Sequence, residues 1–109
     1  MATTDTRLEL EVTFLPPEQG GRTVPPQIGV HLYRPHLRVP PYDEMLGVEF
    51  VEGPQSPAPV GSPLLATVRL LYEPAVSYAA LQPGAQIEIL EGAHVVGRGR
   101  VVRRHSGAA

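Results

Sequence analysis

The sequence has 109 residues, a formal net charge of -2 and an apolar fraction of 42%. These values indicate one globular domain. They exclude the strongly basic field that draws a protein to nucleic acid without regard to sequence. The chain contains no cysteine, which excludes disulfide bonds and thiolate metal sites.

No segment of the sequence is typical of a membrane or secretory protein. The apolar runs are only a few residues long, whereas a membrane-spanning helix needs about 20. The segment Met1–Asp5 has neither the basic start nor the apolar centre of a signal peptide. We therefore expect a cytoplasmic protein with no membrane partner.

Prolines and glycines divide the chain into short segments. There are 13 prolines and 11 glycines, which leave few stretches long enough for a helix. Several remaining segments alternate apolar and polar residues with the period of two that half-buried strands show. In chain order, the predicted strand segments are residues 8–15, 28–33 with 36–39, 46–51, 64–72, 85–90 and 95–102.

The alternation also predicts which side chains form the core. The residues expected to be buried are Leu10, Val12, Phe14, Val48, Phe50, Val68, Leu70, Ile87, Ile89 and Val101. In the fourth segment, Tyr72 falls on the same face as Val68 and Leu70. About six short strands separated by turns indicate an all-β sandwich or barrel. We expect this domain to span residues 8–103, with flexible ends at 1–7 and 104–109.

The connections carry the usual turn signals. Residues 52–63 form a proline-rich loop whose Pro54–Pro57 spacing fits a polyproline-II ligand, although an ordinary loop is favoured. Residues 75–82 have room for one helical turn, and Glu91–His94 is typical of a hairpin connection. The glycines at 97 and 99 in the last strand indicate a bulge, a barrel corner or a close backbone approach.

Four motifs resemble domain III, the C-terminal domain of elongation factor Tu, and they occur in that domain's order. Glu18–Arg22 resembles its "EGGR" loop with one residue inserted, and Tyr33–Leu37 resembles its "YRPQF" segment. Leu70–Pro74 resembles the strand end before its crossover, and Ile87–Gly99 resembles its final hairpin, "FAIREGGRTVGAG". The resemblance spans about residues 8–103 and implies a six-stranded antiparallel barrel.

In the full factor, this domain packs against the GTPase domain and contacts the T-stem of aminoacyl-tRNA. The present sequence has no G-x-x-x-x-G-K-[ST] motif and no lysine. It therefore lacks the loop that cradles nucleotide phosphates, and we expect neither GTP hydrolysis nor a cofactor. The chain resembles domain III standing alone without the GTPase.

The first functional hypothesis is a module that docks a protein partner. In the family, the best-matched surface faces the GTPase domain. The corresponding residues are Gly20, Gly21, Arg22, Tyr33, Arg34 and His36. Tyrosine and arginine are frequent interface anchors. The alternative is structural: Arg34 pairs with Glu18 or Asp43, and Tyr33 packs on a proline.

The second hypothesis is an RNA-binding accessory of translation. It uses the final hairpin and the one basic concentration in the sequence. The residues concerned are Glu91, Gly92, Arg98, Arg100 and Arg103, with Arg104 next to them. The resemblance argues against this hypothesis at two positions, because Leu90 and Glu73 stand where the family has basic residues. A solvated strand face that protects a sheet edge is the structural alternative.

Catalytic and metal-binding patterns are weak. The four histidines do not form a helical ligand pair, and only His31 and His36, with Asp43 and Glu44, suggest a metal site. No serine has the strand-turn-helix setting of a nucleophile elbow. We therefore expect no catalytic residues and no metal, and a protein that is not an enzyme.

Overall fold

A computed structural model of the protein describes residues 6–24, 26, 28, 33–54 and 58–105. Six strands form in this part of the chain, and one short 3₁₀ turn, Pro17–Gln19, follows the first of them. The strands are β1 (Arg7–Phe14), β2 (His36–Arg38), β3 (Leu46–Glu52), β4 (Leu64–Leu70), β5 (Gln86–Glu91) and β6 (His94–His105).

The six strands close into a barrel in the order β1-β4-β3-β2-β5-β6. Every strand pair is antiparallel, and β6 completes the barrel by pairing with β5 on one side and β1 on the other. The predicted all-β class and the six-stranded antiparallel barrel are thus confirmed. Closure leaves the barrel without a free edge that another chain could extend.

The barrel interior is filled by the inward-facing residues of the alternating segments. All ten side chains predicted to be buried are buried. At the centre, the rings of Phe14, Tyr33 and Phe50 pack with centroids 5.3 to 6.3 Å apart. These tilted aromatic contacts add to the apolar burial that stabilises the fold.

The backbones of the paired strands β1 and β6 lie unusually close together at Gly97 and Gly99. A Cβ on Gly99 would lie 2.0 Å from the carbonyl oxygen of Glu11, and one on Gly97 would lie 3.1 Å from that of Thr13. Both glycines sit opposite β1, paired with Val12 and Phe14. Of the alternatives that the sequence left open, a close backbone approach is found at both glycines. A bulge is also present beside Gly97, where the pairing of β6 with β5 shifts register between Ile89 and Leu90.

The chain differs from expectation where the strands end. β4 stops at Leu70, so Tyr72 does not continue its inward face and is 54% exposed, with its ring against Gly47. No helix forms within residues 75–82. That segment is instead anchored by the buried side chains of Tyr78 and Leu81.

The barrel also extends beyond its expected ends. Arg7 begins β1 and pairs with His105, the last residue of β6. Arg7, Arg104 and His105 therefore belong to the sheet, and the expected flexible ends reach too far into it. Ile28 and Tyr33, the ends of the predicted strand 28–33, do not lie in a strand, although both side chains are buried. Residues 29–32, with His31, lie outside the described residues. The same holds for residues 55–57 of the proline-rich motif.

The close approach of the β1 and β6 backbones can be tested with Gly99→Ala. We expect it to lower the free energy of unfolding by about 3 kcal/mol, because the added methyl group would meet backbone that cannot rotate away. Gly97→Ala is the matched control. A Cβ at Gly97 would lie about 1 Å farther from the β1 backbone than one at Gly99, so we expect a smaller loss in the free energy of unfolding. Urea unfolding of both variants measures the difference, and an equal cost would contradict the close approach at Gly99.

Candidate functional site

The Gly20–Gly21 pair determines how the chain leaves the first strand. Gly20 ends the 3₁₀ turn in the left-handed region, with φ of 95°, which favours glycine. A Cβ on Gly21 would lie 1.7 Å from the carbonyl oxygen of Leu15. This tight turn leads directly to Arg22, which reaches the end of β5.

Arg22, Tyr33 and Glu91 form one hydrogen-bonded triad. The Tyr33 hydroxyl donates to Oε2 of Glu91 at 2.7 Å, and Nη1 of Arg22 donates to the same oxygen at 3.1 Å. The Arg22 guanidinium also lies 5.4 Å from the centre of the Tyr33 ring. One carboxylate thus joins three segments that are far apart in the sequence.

Tyr33 is mainly a core residue. It is only 8% exposed and packs against Phe14 and Phe50. Burial, assisted by the Glu91 carboxylate, raises the pKa of the Tyr33 hydroxyl above its ordinary value, so the phenol stays protonated and donates. The packing partners that the structure shows for the Tyr33 ring are therefore aromatic.

Two residues of the triad, Tyr33 and Glu91, line a shallow concavity of about 320 Å³ between β2 and β5. Its lining residues are Tyr33, Arg34, Pro35, His36, Leu90, Glu91 and Gly92. We call this surface the β2–β5 concavity. Residues of the two functional hypotheses meet here, since Glu91 and Gly92 had been assigned to RNA and Tyr33, Arg34 and His36 to a protein partner.

Backbone pairing fixes the wall that carries Arg34. The Tyr33 carbonyl accepts the N–H of Phe50 at 2.9 Å, and the Pro35 carbonyl accepts the N–H of Val48 at 3.1 Å. Residues 33–35 therefore run along β3 and hold Arg34 on the outer surface. His36 follows as the register partner of both Gly47 and Leu90.

Arg34 shares the carboxylate of Glu49 with Arg69. Nε of Arg34 donates to Oε2 at 3.1 Å, while Nε and Nη2 of Arg69 donate to Oε1 at 3.2 and 2.6 Å. Glu49 is only 4% exposed. Hydrogen bonds from Arg69, and secondarily from Arg34, hold the pKa of Glu49 below its ordinary value. The expected pairing of Arg34 with Glu18 or Asp43 is wrong.

The arginines of the last strand are mostly paired with glutamates. Arg100 contacts Glu11 at 3.2 Å, and Arg103 contacts Glu9 at 3.6 Å. In the part of the chain that the structure describes, Arg98 makes no ion pair, although it lines a separate concavity with Arg100. Arg98 and Arg100 do share an outward face, as expected, but of the two only Arg98 is without an ion pair to the described residues, because Glu11 neutralises Arg100.

Arg104 belongs to a different surface. It contacts Glu73 at 2.9 Å, beside the turn that follows β4. Glu73 is the residue that stands where the family has a basic side chain, and the structure shows it occupied by this ion pair. Together with the pairs at Glu9 and Glu11, this contact reduces the positive charge of β6.

Sequence reasoning missed two acidic residues of the candidate site. Glu49 received no role, and Glu91 was considered only for RNA. Glu49 is joined to Arg34 and Arg69, which are 15 and 20 positions away in sequence, and Glu91 is joined to Arg22, which is 69 positions away. The alternation of β3 does place Glu49 on the outer face, opposite Arg69 on β4. That position becomes informative only when the register of the two strands is known.

Neither a metal site nor a membrane helix is found within the described ranges. No group of three histidine, aspartate or glutamate side chains there converges to hold a metal ion. No helix in the same ranges has the length and hydropathy required to cross a bilayer.

Comparison with known proteins adds no family assignment, because no family model and no curated protein matches the sequence.

The two buried tyrosine hydroxyls provide a test of the triad. We expect Tyr33→Phe to cost about 1 kcal/mol, since Glu91 keeps Arg22 and has access to water. Tyr78→Phe is the comparison. It removes a 2.7 Å bond to the Gly47 carbonyl and leaves the Tyr72 N–H without its acceptor, so we expect about 2 kcal/mol. Thermal unfolding of both variants measures the order, and the reverse order would contradict this account.

Glu49 gives a pH-dependent prediction. Because its folded-state pKa is lowered, its contribution to stability is complete above the unfolded pKa of about 4.3 and is lost as pH falls toward the folded-state value. We expect Glu49→Gln to cost about 2 kcal/mol near neutral pH. The difference from the wild type should shrink as urea unfolding is repeated down to about pH 3.

The control for this experiment is Glu18→Gln. Glu18 is exposed and makes no ion pair with the described residues. Its substitution should change the free energy of unfolding little, both near neutral pH and at about pH 3. A constant difference between wild type and Glu49→Gln across the whole range would show that the carboxylate charge does not contribute.

Proposed function

We propose that this protein is a non-catalytic binding module, similar to domain III of elongation factor Tu, that docks a protein partner through the β2–β5 concavity. A cytoplasmic location and a role alongside translation belong to the same proposal. The ordered motifs support the resemblance, and the six-stranded antiparallel barrel is the architecture that it implies.

The observation that carries the proposal is the convergence of the best-matched segments. Residues 33–36 and 91–92 are distant in sequence, yet they line one concavity. The Gly20–Arg22 segment reaches the same place through Arg22, which donates to the Glu91 carboxylate that Tyr33 also contacts. A surface held by hydrogen bonds from three segments is preorganised, so little conformational entropy is lost when a partner binds.

The neighbouring surface has the composition of a protein interface. Tyr72 is 54% exposed, and its ring lies on the outer side of Gly47, the register partner of His36. An exposed aromatic ring and an exposed arginine, Arg34, therefore flank the same histidine. Tyrosine and arginine are enriched at the centres of protein interfaces.

RNA binding is the less supported alternative. A phosphate backbone is bound by several uncompensated cations, whereas Arg100, Arg103 and Arg104 of β6 are each paired with a glutamate. Arg98 alone does not form the run of free cations that a nucleic-acid strand would meet.

The docking surface is tested by partner capture from native lysate, followed by mass spectrometry. We expect Arg34→Ala combined with His36→Ala to abolish capture of the specific partner, because both side chains line the concavity. Tyr33 is left intact, since removing a core ring would unfold the barrel. Each variant is first shown to be folded by its melting curve.

The matched control is Arg98→Ala combined with Arg100→Ala. This pair removes two positive charges from β6, at least as many as the first pair removes from the concavity. Capture should survive this pair. If it fails there and survives in the first pair, the last strand is the binding face. RNA binding is then measured directly, and a log-log slope of affinity against salt near zero would exclude a phosphate-backbone interaction.

A further inference from the structure

Arg34 is held in place by Glu49 but is not neutralised by it. Glu49 accepts from Nε of Arg34 through one oxygen, and its other oxygen accepts from both Nε and Nη2 of Arg69. One carboxylate therefore serves two guanidinium groups. This small cluster keeps one uncompensated positive charge.

The excess charge is accessible mainly at Arg34. The Arg34 side chain is 61% exposed, compared with 41% for Arg69. Because the described contact of Arg34 uses Nε, the Nη groups keep their N–H donors for another partner. A guanidinium anchored in this way offers a planar pair of donors that matches a carboxylate, with less side-chain entropy to lose on binding.

The walls of the concavity do not supply the missing anion. Glu91 is the carboxylate among its lining residues, and that group already accepts hydrogen bonds from Tyr33 and Arg22. The other residues next to Arg34 in the lining are Pro35 and His36. An incoming acidic side chain would therefore meet a guanidinium that has no competing partner in the described lining.

We propose that the partner presents an acidic segment whose aspartate or glutamate carboxylate accepts two hydrogen bonds from the Nη groups of Arg34. This inference rests on the proposed docking function and specifies the chemistry of the partner. A protein carboxylate is favoured over RNA because two-point recognition of one carboxylate needs only the single guanidinium of Arg34. Binding of an RNA backbone needs several uncompensated cations along successive phosphates.

The test begins with selection of short random peptides on the immobilised full chain. Selected peptides are synthesised with a fluorescent label, and their dissociation constants are measured by anisotropy at low and high salt. We expect the peptides to be enriched in aspartate and glutamate. We also expect Arg34→Gln to weaken their binding about tenfold, and high salt to weaken wild-type binding.

Two variants serve as controls. Arg98→Gln removes an exposed arginine that makes no ion pair with the described residues and lies outside the concavity, and it should change affinity less than about twofold. Arg34→Lys keeps the charge without the planar donor pair and should fall between wild type and Arg34→Gln. Both Arg34 variants are expected to fold, because Glu49 keeps Arg69, and melting curves check this.

The outcomes separate the inference from the function on which it rests. If binding is lost in His36→Ala but is unchanged in Arg34→Gln, the concavity docks a partner and the acidic contact is wrong. If binding depends only on Arg98, both proposals are wrong. Neutral peptides, no selected peptides, or a labelled RNA that binds through Arg34 more tightly than any selected peptide would each overturn the acidic-peptide inference.

Discussion

The pairing of the first strand with the last is the constraint on which the rest of the structure depends. β6 follows β5 in a short hairpin and pairs with it. The barrel closes only because β6 also pairs with β1, which lies near the opposite end of the sequence. Gly97 and Gly99 permit this second pairing because side chains there would collide with β1. With β1 paired to β6, the ring of Phe14 packs against the rings of Phe50 and Tyr33 in the barrel interior. This packing positions Tyr33, whose hydroxyl donates to Glu91 in the triad.

Closure also determines the charge pattern of the surface. The strand register places outward-facing acids of β1 opposite arginines of β6, so Glu9 and Glu11 contact Arg103 and Arg100. Exposed pairs of this kind contribute little to stability. Their larger effect is electrostatic, because they reduce the field of the last strand. An arginine-rich strand that looks suited to RNA in the sequence is therefore largely neutralised in the barrel.

The interior of the fold was predictable from sequence, and the site was predictable only in part. Alternation with a period of two is a local signal, so Val48 and Phe50 could be assigned to the core without knowing their partners. The same rule was wrong at Tyr72, because it cannot tell where a strand ends. The partners of Arg34 and Tyr33 depend on register between distant strands. Local patterns do not contain that information.

The Tyr33–His36 segment contributes some residues to the core of the barrel and others to its surface. Tyr33 packs in the core, and the carbonyls of Tyr33 and Pro35 pair with β3. The alternate positions are on the surface: the Arg34 side chain contacts Glu49 and is 61% exposed, and His36 lines the concavity. Tyr33 and Pro35 therefore contribute to the barrel itself. In the proposed docking function, Arg34 and His36 would determine specificity for the partner, and His36 stands where the proposed relative, domain III of elongation factor Tu, has glutamine.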